Sequence, residues 1–135
     1  GGIAAQADLW SLWKNNSLTF PFSIAGLVLV ASYIRQDLGC GDIDFSDTSM
    51  PTASIMASLY GIINQEMISE GRKWLPTNAT FDLNIFGGNH GYFGTYNYSE
   101  QSTLLSQFDG SAMITRAVQQ DLTMGADVML MVSSV

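Results

Sequence analysis

The segment of this chain with the clearest chemical potential is residues 87–96, Gly-Gly-Asn-His-Gly-Tyr-Phe-Gly-Thr-Tyr, which contains the only histidine, His90. Imidazole is the one side chain whose unperturbed pKa lies near neutrality, so it suits a general base that takes and returns a proton. The neighbouring glycines let the backbone turn sharply and leave the ring accessible. Because the segment also follows a strand-like run directly, His90 is a candidate general base.

Residues 87–96 also allow interpretations other than a general base. A lone histidine is often structural or simply exposed. The glycines could cradle a phosphate, but their spacing matches neither Gly-x-Gly-x-x-Gly nor a phosphate-binding loop ending in Lys-Ser/Thr. The aromatic side chains in and after the segment could line an acyl pocket or pack to fix the loop; they are Tyr92, Phe93, Tyr96 and Tyr98.

Helix-like and strand-like patterns alternate along the chain. They predict helices over 3–14 and 62–75, strands over 24–31, 53–58 and 80–86, and a final helix beginning near residue 112. This order predicts an α/β fold with a parallel sheet of about three strands flanked by helices. In such sheets ligands bind at the carboxyl ends of the strands, and His90 comes just past one of those ends.

The same patterns predict which faces are buried. The unbroken Leu-Val-Leu-Val run in 24–31 predicts a strand covered on both faces, whereas alternation in 80–86 predicts an edge strand. Asp109 or Ser111 would cap the final helix. The apolar side of that helix is predicted to consist of Met113, Ala117, Val118, Leu122, Val128 and Met131.

The histidine segment resembles the catalytic-histidine loop of the dienelactone-hydrolase-like group of α/β-hydrolases, which carries Gly-Gly-Asn-His-x-x-Phe-Gly-x-Tyr. Weaker similarities follow in register along most of the chain. They are Gly-Gly-Ile-Ala-Ala at 1–5, which resembles the end of a Gly-x-Ser-x-Gly-Gly elbow, Ala-Ser-Tyr at 31–33, the strand and turn at 53–61, Asp-Gly-x-Ala at 109–112 and Gln-Gln at 119–120.

The resemblance implies that residues 1–135 form a single partial domain, the C-terminal part of an α/β-hydrolase fold. The nucleophilic serine would lie two residues before Gly1, outside the chain, because no Gly-x-Ser-x-Gly occurs within it. The implied activity is hydrolysis of a small-molecule ester or related acyl bond, with His90 as general base. Without the preceding half of the fold, the chain is expected to be inactive and marginally stable, since an inner sheet edge would stay open.

At the position where this family normally carries the triad acid, the chain has Tyr60. The acid holds the imidazole in one tautomer and stabilises its protonated form, and a neutral phenol performs only part of the first task. Asp37, which follows the preceding strand, is a substitute acid in our interpretation; Glu66 and Asp82 are weaker candidates. The alternative is a degenerate, non-catalytic relative that keeps the fold for binding or interaction.

Composition narrows the possible partners. The net charge of −7, with only five Lys and Arg, argues against nucleic-acid binding. No apolar run approaches the roughly 20 residues of a membrane-spanning helix. Cys40 is the only cysteine, and the aspartates between 37 and 47 lack calcium-loop spacing, so we expect no metal and no cofactor.

The compartment is left open by the sequence. Three N-glycosylation sequons begin at Asn15, Asn78 and Asn97, and they favour a secreted glycoprotein over an intracellular one, although such triplets also arise by chance. No signal peptide is visible at the start of the chain.

Overall fold

The computed structural model describes residues 2–14, 24–36, 42–59, 61, 63–94 and 109–133, with the backbone alone at 2–4 and 131–133. The elements follow the predicted order. They are α1 (Gly2–Lys14), β1 (Leu27–Val30), β2 (Thr52–Ala57), α2 (Gln65–Arg72), β3 (Thr80–Ile85), a 3₁₀ helix (His90–Phe93) and α3 (Arg116–Ser133).

The three strands form one parallel sheet in the order β1-β2-β3. Thr52 pairs in register with Leu27 on one side and Thr80 on the other, so all three strands start at the same level. Their carboxyl ends therefore lie along one edge of the sheet, which is the edge where ligand sites form in parallel sheets. The predicted α/β fold, a small parallel sheet flanked by helices, is confirmed.

Strand β2 occupies the centre of the sheet, and all six of its residues are buried. Ala53 and Ile55 pack with Ile85 of β3 and Ala126 of α3. Met56 and Ala57 are buried next to Ile68 of α2. The strand that is covered on both faces is therefore β2, because it has a hydrogen-bonded neighbour on each side and helices above and below.

The prediction that β1 is buried on both faces is wrong. Leu27 and Leu29 are buried, whereas Val28 is 40% exposed. Within the described residues β1 pairs with β2 alone, so it is an edge strand. On the side of Val28 only Val30 packs against the core, whereas the opposite face, with Leu27 and Leu29, is covered. That face joins a core around Phe45, whose ring meets Trp10 of α1 edge-to-face at 5.0 Å.

Helix α3 differs from its prediction at its start and in its buried face. It begins at Arg116, and the Thr115 hydroxyl accepts the Val118 N–H at 3.3 Å, so neither Asp109 nor Ser111 caps it. The side predicted to be apolar and buried is largely exposed. Gln119 and Ala126, two helical turns apart, face the interior instead. Exposed members of the predicted face are Met113, Ala117, Val118, Leu122 and Val128.

Among the residues that the structure describes, no helix is long and apolar enough to cross a membrane.

Strand β3 lies at the sheet edge, as predicted, with Phe81, Asp82 and Asn84 exposed. Helix α2 starts at an Asn64 cap, whose side-chain oxygen accepts the Met67 N–H at 2.8 Å.

Two glycine substitutions test the packing of the helices. A β-carbon on Gly71 of α2 would lie 2.9 Å from both the carbonyl oxygen of Ile34 and the β-carbon of Tyr33. Gly71→Ala should therefore lower the free energy of unfolding by about 1–3 kcal/mol through overpacking. Gly125→Ala in α3 meets no atom within 4 Å and should raise it by about 0.5–1 kcal/mol through helix propensity. Urea unfolding measures both, and equal effects of the two variants would contradict the described packing.

Candidate active site

The chain turns sharply between the end of β3 and His90. Gly87 has φ +75°, in the left-handed region that favours glycine. A β-carbon on Gly88 would lie 2.5 Å from Oε1 of Gln119, so only glycine fits there without rearrangement. Asn89 then caps the 3₁₀ helix, its side-chain oxygen accepting the Tyr92 N–H at 3.1 Å, and His90 is the first residue of that helix.

Asp109 binds the backbone at the histidine itself. One carboxylate oxygen accepts the His90 N–H at 2.9 Å, and the other accepts the Gly91 N–H at 2.8 Å. A carboxylate is a strong acceptor for two successive N–H groups at a helix start. The residue predicted to cap the final helix therefore holds the histidine segment instead. The sequence places Asp109 in an Asp-Gly-x-Ala pattern that resembles the family, but it does not identify this role.

Gln119 of α3 holds the residue before the histidine. Its Oε1 accepts the Asn89 N–H at 3.0 Å, and its Nε2 donates to the Asn89 carbonyl at 2.7 Å. The Gln119 side chain is fully buried, so these two bonds satisfy backbone groups that water does not reach. In the sequence Gln119 is noted only within the Gln-Gln pair that resembles the family. A glutamine in a helical pattern does not by itself predict a buried hydrogen bond.

Backbone hydrogen bonds join three segments beneath His90. The Leu59 N–H donates to the Gly88 carbonyl at 3.0 Å, and the Gly110 N–H donates to the Leu59 carbonyl at 3.1 Å. The Gly87 N–H donates to the Ser58 hydroxyl at 2.8 Å. The turn after β2, where the family acid is expected, is therefore bonded directly to the histidine segment.

The electrostatic setting of His90 favours the neutral imidazole. Burial lowers the pKa of His90 below its ordinary value of 6.5, because a protonated ring loses hydration, while the negative charge of Asp109 acts in the opposite direction. The ring remains partly exposed. At neutral pH it is therefore uncharged, reachable and able to accept a proton.

The other predicted site residues are placed unevenly. Asp37 and Tyr60 lie outside the described residues, so their roles stay predictions. Glu66 is exposed in the first turn of α2. The carboxylate of Asp82 is engaged with the Arg72 guanidinium at 2.9 Å. Across the described ranges, no three His, Cys, Asp or Glu side chains are grouped so as to hold a metal ion.

Of the aromatic residues around His90, the two that are described serve packing. Phe93 packs against the buried residues of β2. The Tyr92 ring lies under the Arg116 guanidinium, 5.2 Å from ring centroid to the guanidinium carbon. Tyr96 and Tyr98 lie outside the described residues. The structure thus favours the loop-fixing interpretation for Phe93 and Tyr92.

The Gln119 contact can be tested against its neighbour. Gln119→Leu removes both side-chain hydrogen bonds to the buried Asn89 backbone and should cost about 3 kcal/mol of unfolding free energy. Gln120→Leu removes only a 3.4 Å contact to the Gly94 carbonyl and should change it by less than about 1 kcal/mol. Chemical denaturation of both variants measures the difference. If both variants lose a similar amount of unfolding free energy, the Gln119 hydrogen bonds do not stabilise the histidine segment in particular.

The lowered pKa of His90 also predicts a pH dependence of stability. Since the unfolded chain binds the proton more readily, His90 should reduce the free energy of unfolding as pH falls from 6.5 through the folded pKa, with no loss above 6.5. The stability difference between wild type and His90→Gln should accordingly favour wild type more at pH 7.5 than at pH 5.5. A difference independent of pH, or larger at pH 5.5, would contradict the assigned setting of the ring.

Comparison with protein-family models connects this geometry to a known group. Residues 16–121 match the model of the alpha/beta hydrolase family, a span that includes the whole sheet and the histidine segment. No significant match was found among curated proteins or among solved structures. The matched span covers more than half of the 135 residues, and the parallel sheet with His90 beyond its carboxyl edge agrees with it. The chain belongs to the α/β-hydrolase family.

Proposed function

We propose that this chain is the histidine-bearing C-terminal part of a serine hydrolase that cleaves a small-molecule ester or related acyl bond. The observation that carries the proposal is the placement of His90. It stands beyond the carboxyl end of a parallel strand, in a half-buried position that favours the neutral imidazole, and Gln119 and Asp109 bond the backbone of Asn89 and His90. An imidazole with a pKa below neutrality is suited to general-base catalysis.

In the proposed mechanism His90 accepts the proton of a serine hydroxyl as the serine oxygen attacks the substrate carbonyl carbon. The resulting oxyanion is stabilised by backbone N–H groups. His90 then gives its proton to the leaving-group oxygen as the bond to the carbonyl carbon breaks. Water, activated by the same imidazole, hydrolyses the acyl-enzyme and restores the serine.

The nucleophile of this mechanism comes from a segment before residue 1. No Gly-x-Ser-x-Gly occurs in the 135 residues, and the resemblance of Gly-Gly-Ile-Ala-Ala at 1–5 to the end of such an elbow supports a serine two residues before Gly1. The first oxyanion N–H belongs to the residue after that serine, and the second to an earlier strand-to-helix loop. A catalytic unit therefore needs both halves of the fold.

A second function, binding or interaction without catalysis, is favoured by one observation. The position aligned with the triad acid is Tyr60, whose neutral phenol cannot stabilise an imidazolium as a carboxylate does. In the serine-protease template, a neutral isostere at the acid lowers turnover about 10⁴-fold. A relative that had lost catalysis would still keep the sheet and the hydrogen-bonded histidine segment.

The two functions separate in one experiment on the full-length protein. If the hydrolase proposal is right, a fluorophosphonate probe labels one serine, and His90→Ala lowers both labelling and hydrolysis of an activated ester by about 10²–10⁴-fold. The rate should rise with pH through an inflection below 6.5, since the neutral ring is the active form. Thr77→Ala, an exposed change in the turn before β3, is the control and should leave the rate unaltered. If the folded wild-type protein is not labelled by the probe, the hydrolase proposal is rejected and the binding function is retained.

A further inference from the structure

The proposed mechanism leaves one electrostatic requirement unmet, because a histidine that takes a proton needs a nearby negative charge and Tyr60 carries none. Among the described residues, the carboxylate whose charge acts on His90 is that of Asp109. It reaches His90 from the segment before α3, and it is bonded to the backbone N–H groups of His90 and Gly91 at 2.9 and 2.8 Å.

We infer that Asp109 is the positioning residue of this site, which fixes the start of the histidine-bearing helix and supplies the negative charge that stabilises the His90 imidazolium in place of a carboxylate at position 60. The inference rests on the proposed function for its catalytic consequence. The hydrogen bonds from the His90 and Gly91 N–H groups to Asp109, and the effect of its charge on the pKa of His90, stand independently of it.

The Asp109 carboxylate has two effects, one on the backbone of His90 and one on the charge of its ring. Both oxygens accept backbone N–H groups, so Asp109 determines where the backbone of His90 lies. Its charge acts on the ring through space. Because His90 is half-buried, this interaction is screened less than it would be on the surface.

This role of Asp109 adds no proton transfer to the proposed reaction. The serine proton moves to the His90 ring and later to the leaving group. None passes to Asp109, whose two oxygens already accept the N–H groups of His90 and Gly91. Asp109 therefore stabilises the charge that appears on the ring without exchanging a proton with it.

The remaining charged and titratable groups described around this helix do not duplicate the role. Arg116 of α3 lies over the Tyr92 ring, and its positive charge would oppose protonation of His90. Tyr92, in the same 3₁₀ helix as His90, offers a phenol and not a carboxylate. Thus the negative charge described at the site comes from Asp109.

Nuclear magnetic resonance titration of His90 in the full-length protein tests the inference without requiring activity. Asp109→Asn removes the charge and should lower the pKa of His90 further below that of wild type. Asp109→Ser also removes the charge but keeps a hydroxyl that can accept an N–H, and it should lower the pKa in the same direction. The resonance is assigned with His90→Gln. Asp121→Asn, the same charge change at an exposed position on α3, is the matched control and should leave the pKa of His90 unaltered.

A second titration uses the wild-type protein alone and therefore does not depend on whether a variant folds. The side-chain carboxyl resonance of Asp109 should shift with an inflection at the pKa of His90, because the two charges interact reciprocally. Absence of that inflection, or an unaltered or raised pKa of His90 in folded Asp109→Asn, would overturn the inference. An equal pKa decrease in Asp37→Asn would assign the charge to Asp37 as well and also overturn it.

Kinetics separate the inference from the proposed function. If the protein hydrolyses an activated ester, Asp109→Asn should lower kcat by about 10- to 100-fold with little change in KM, because the lost stabilisation applies to the charged transition state. Asp109→Glu should recover part of the loss, which a purely steric role would not allow. If wild type shows no hydrolysis, the proposed function fails, whereas the titration still decides the relation between Asp109 and His90.

Discussion

The buried amide of Gln119 is the contact on which the geometry around His90 depends. Its two hydrogen bonds satisfy both backbone groups of Asn89, and no water reaches the fully buried side chain to replace them. Gln119 lies on the inward face of α3. Ala126 two turns later and Leu130 pack on the sheet from the same face, whereas Val118, Leu122, Met124, Val128 and Met129 are exposed.

Around that contact, two opposing effects set the character of the imidazole. Burial favours the neutral ring, and the Asp109 carboxylate favours the protonated one. A general base requires both, because it has to be neutral before the reaction and stabilised once charged. The site combines them by binding the carboxylate to the backbone of His90 and Gly91 while the ring remains partly exposed.

The sequence predicted the order and type of the elements well, since hydrophobic periodicity and the Gly-Gly-Asn-His segment are local signals. It misassigned burial in two places. The Leu-Val-Leu-Val run marked a strand but not its position in the sheet, and β1 is an edge strand in the described structure while β2 is central. In α3 the apolar periodicity did not reveal that the buried face contains Gln119, whose amide bonds two backbone groups of a distant segment.

Taken by itself, the sequence determined that a parallel α/β sheet delivers His90 past a strand end. Tertiary structure alone decided what holds the histidine. Asp109 and Gln119 lie 19 and 30 residues from the groups they bind. No periodicity or local motif relates residues so far apart; they meet because β3 and α3 pack on the same central strand, which brings the ends of separate segments to one edge of the sheet.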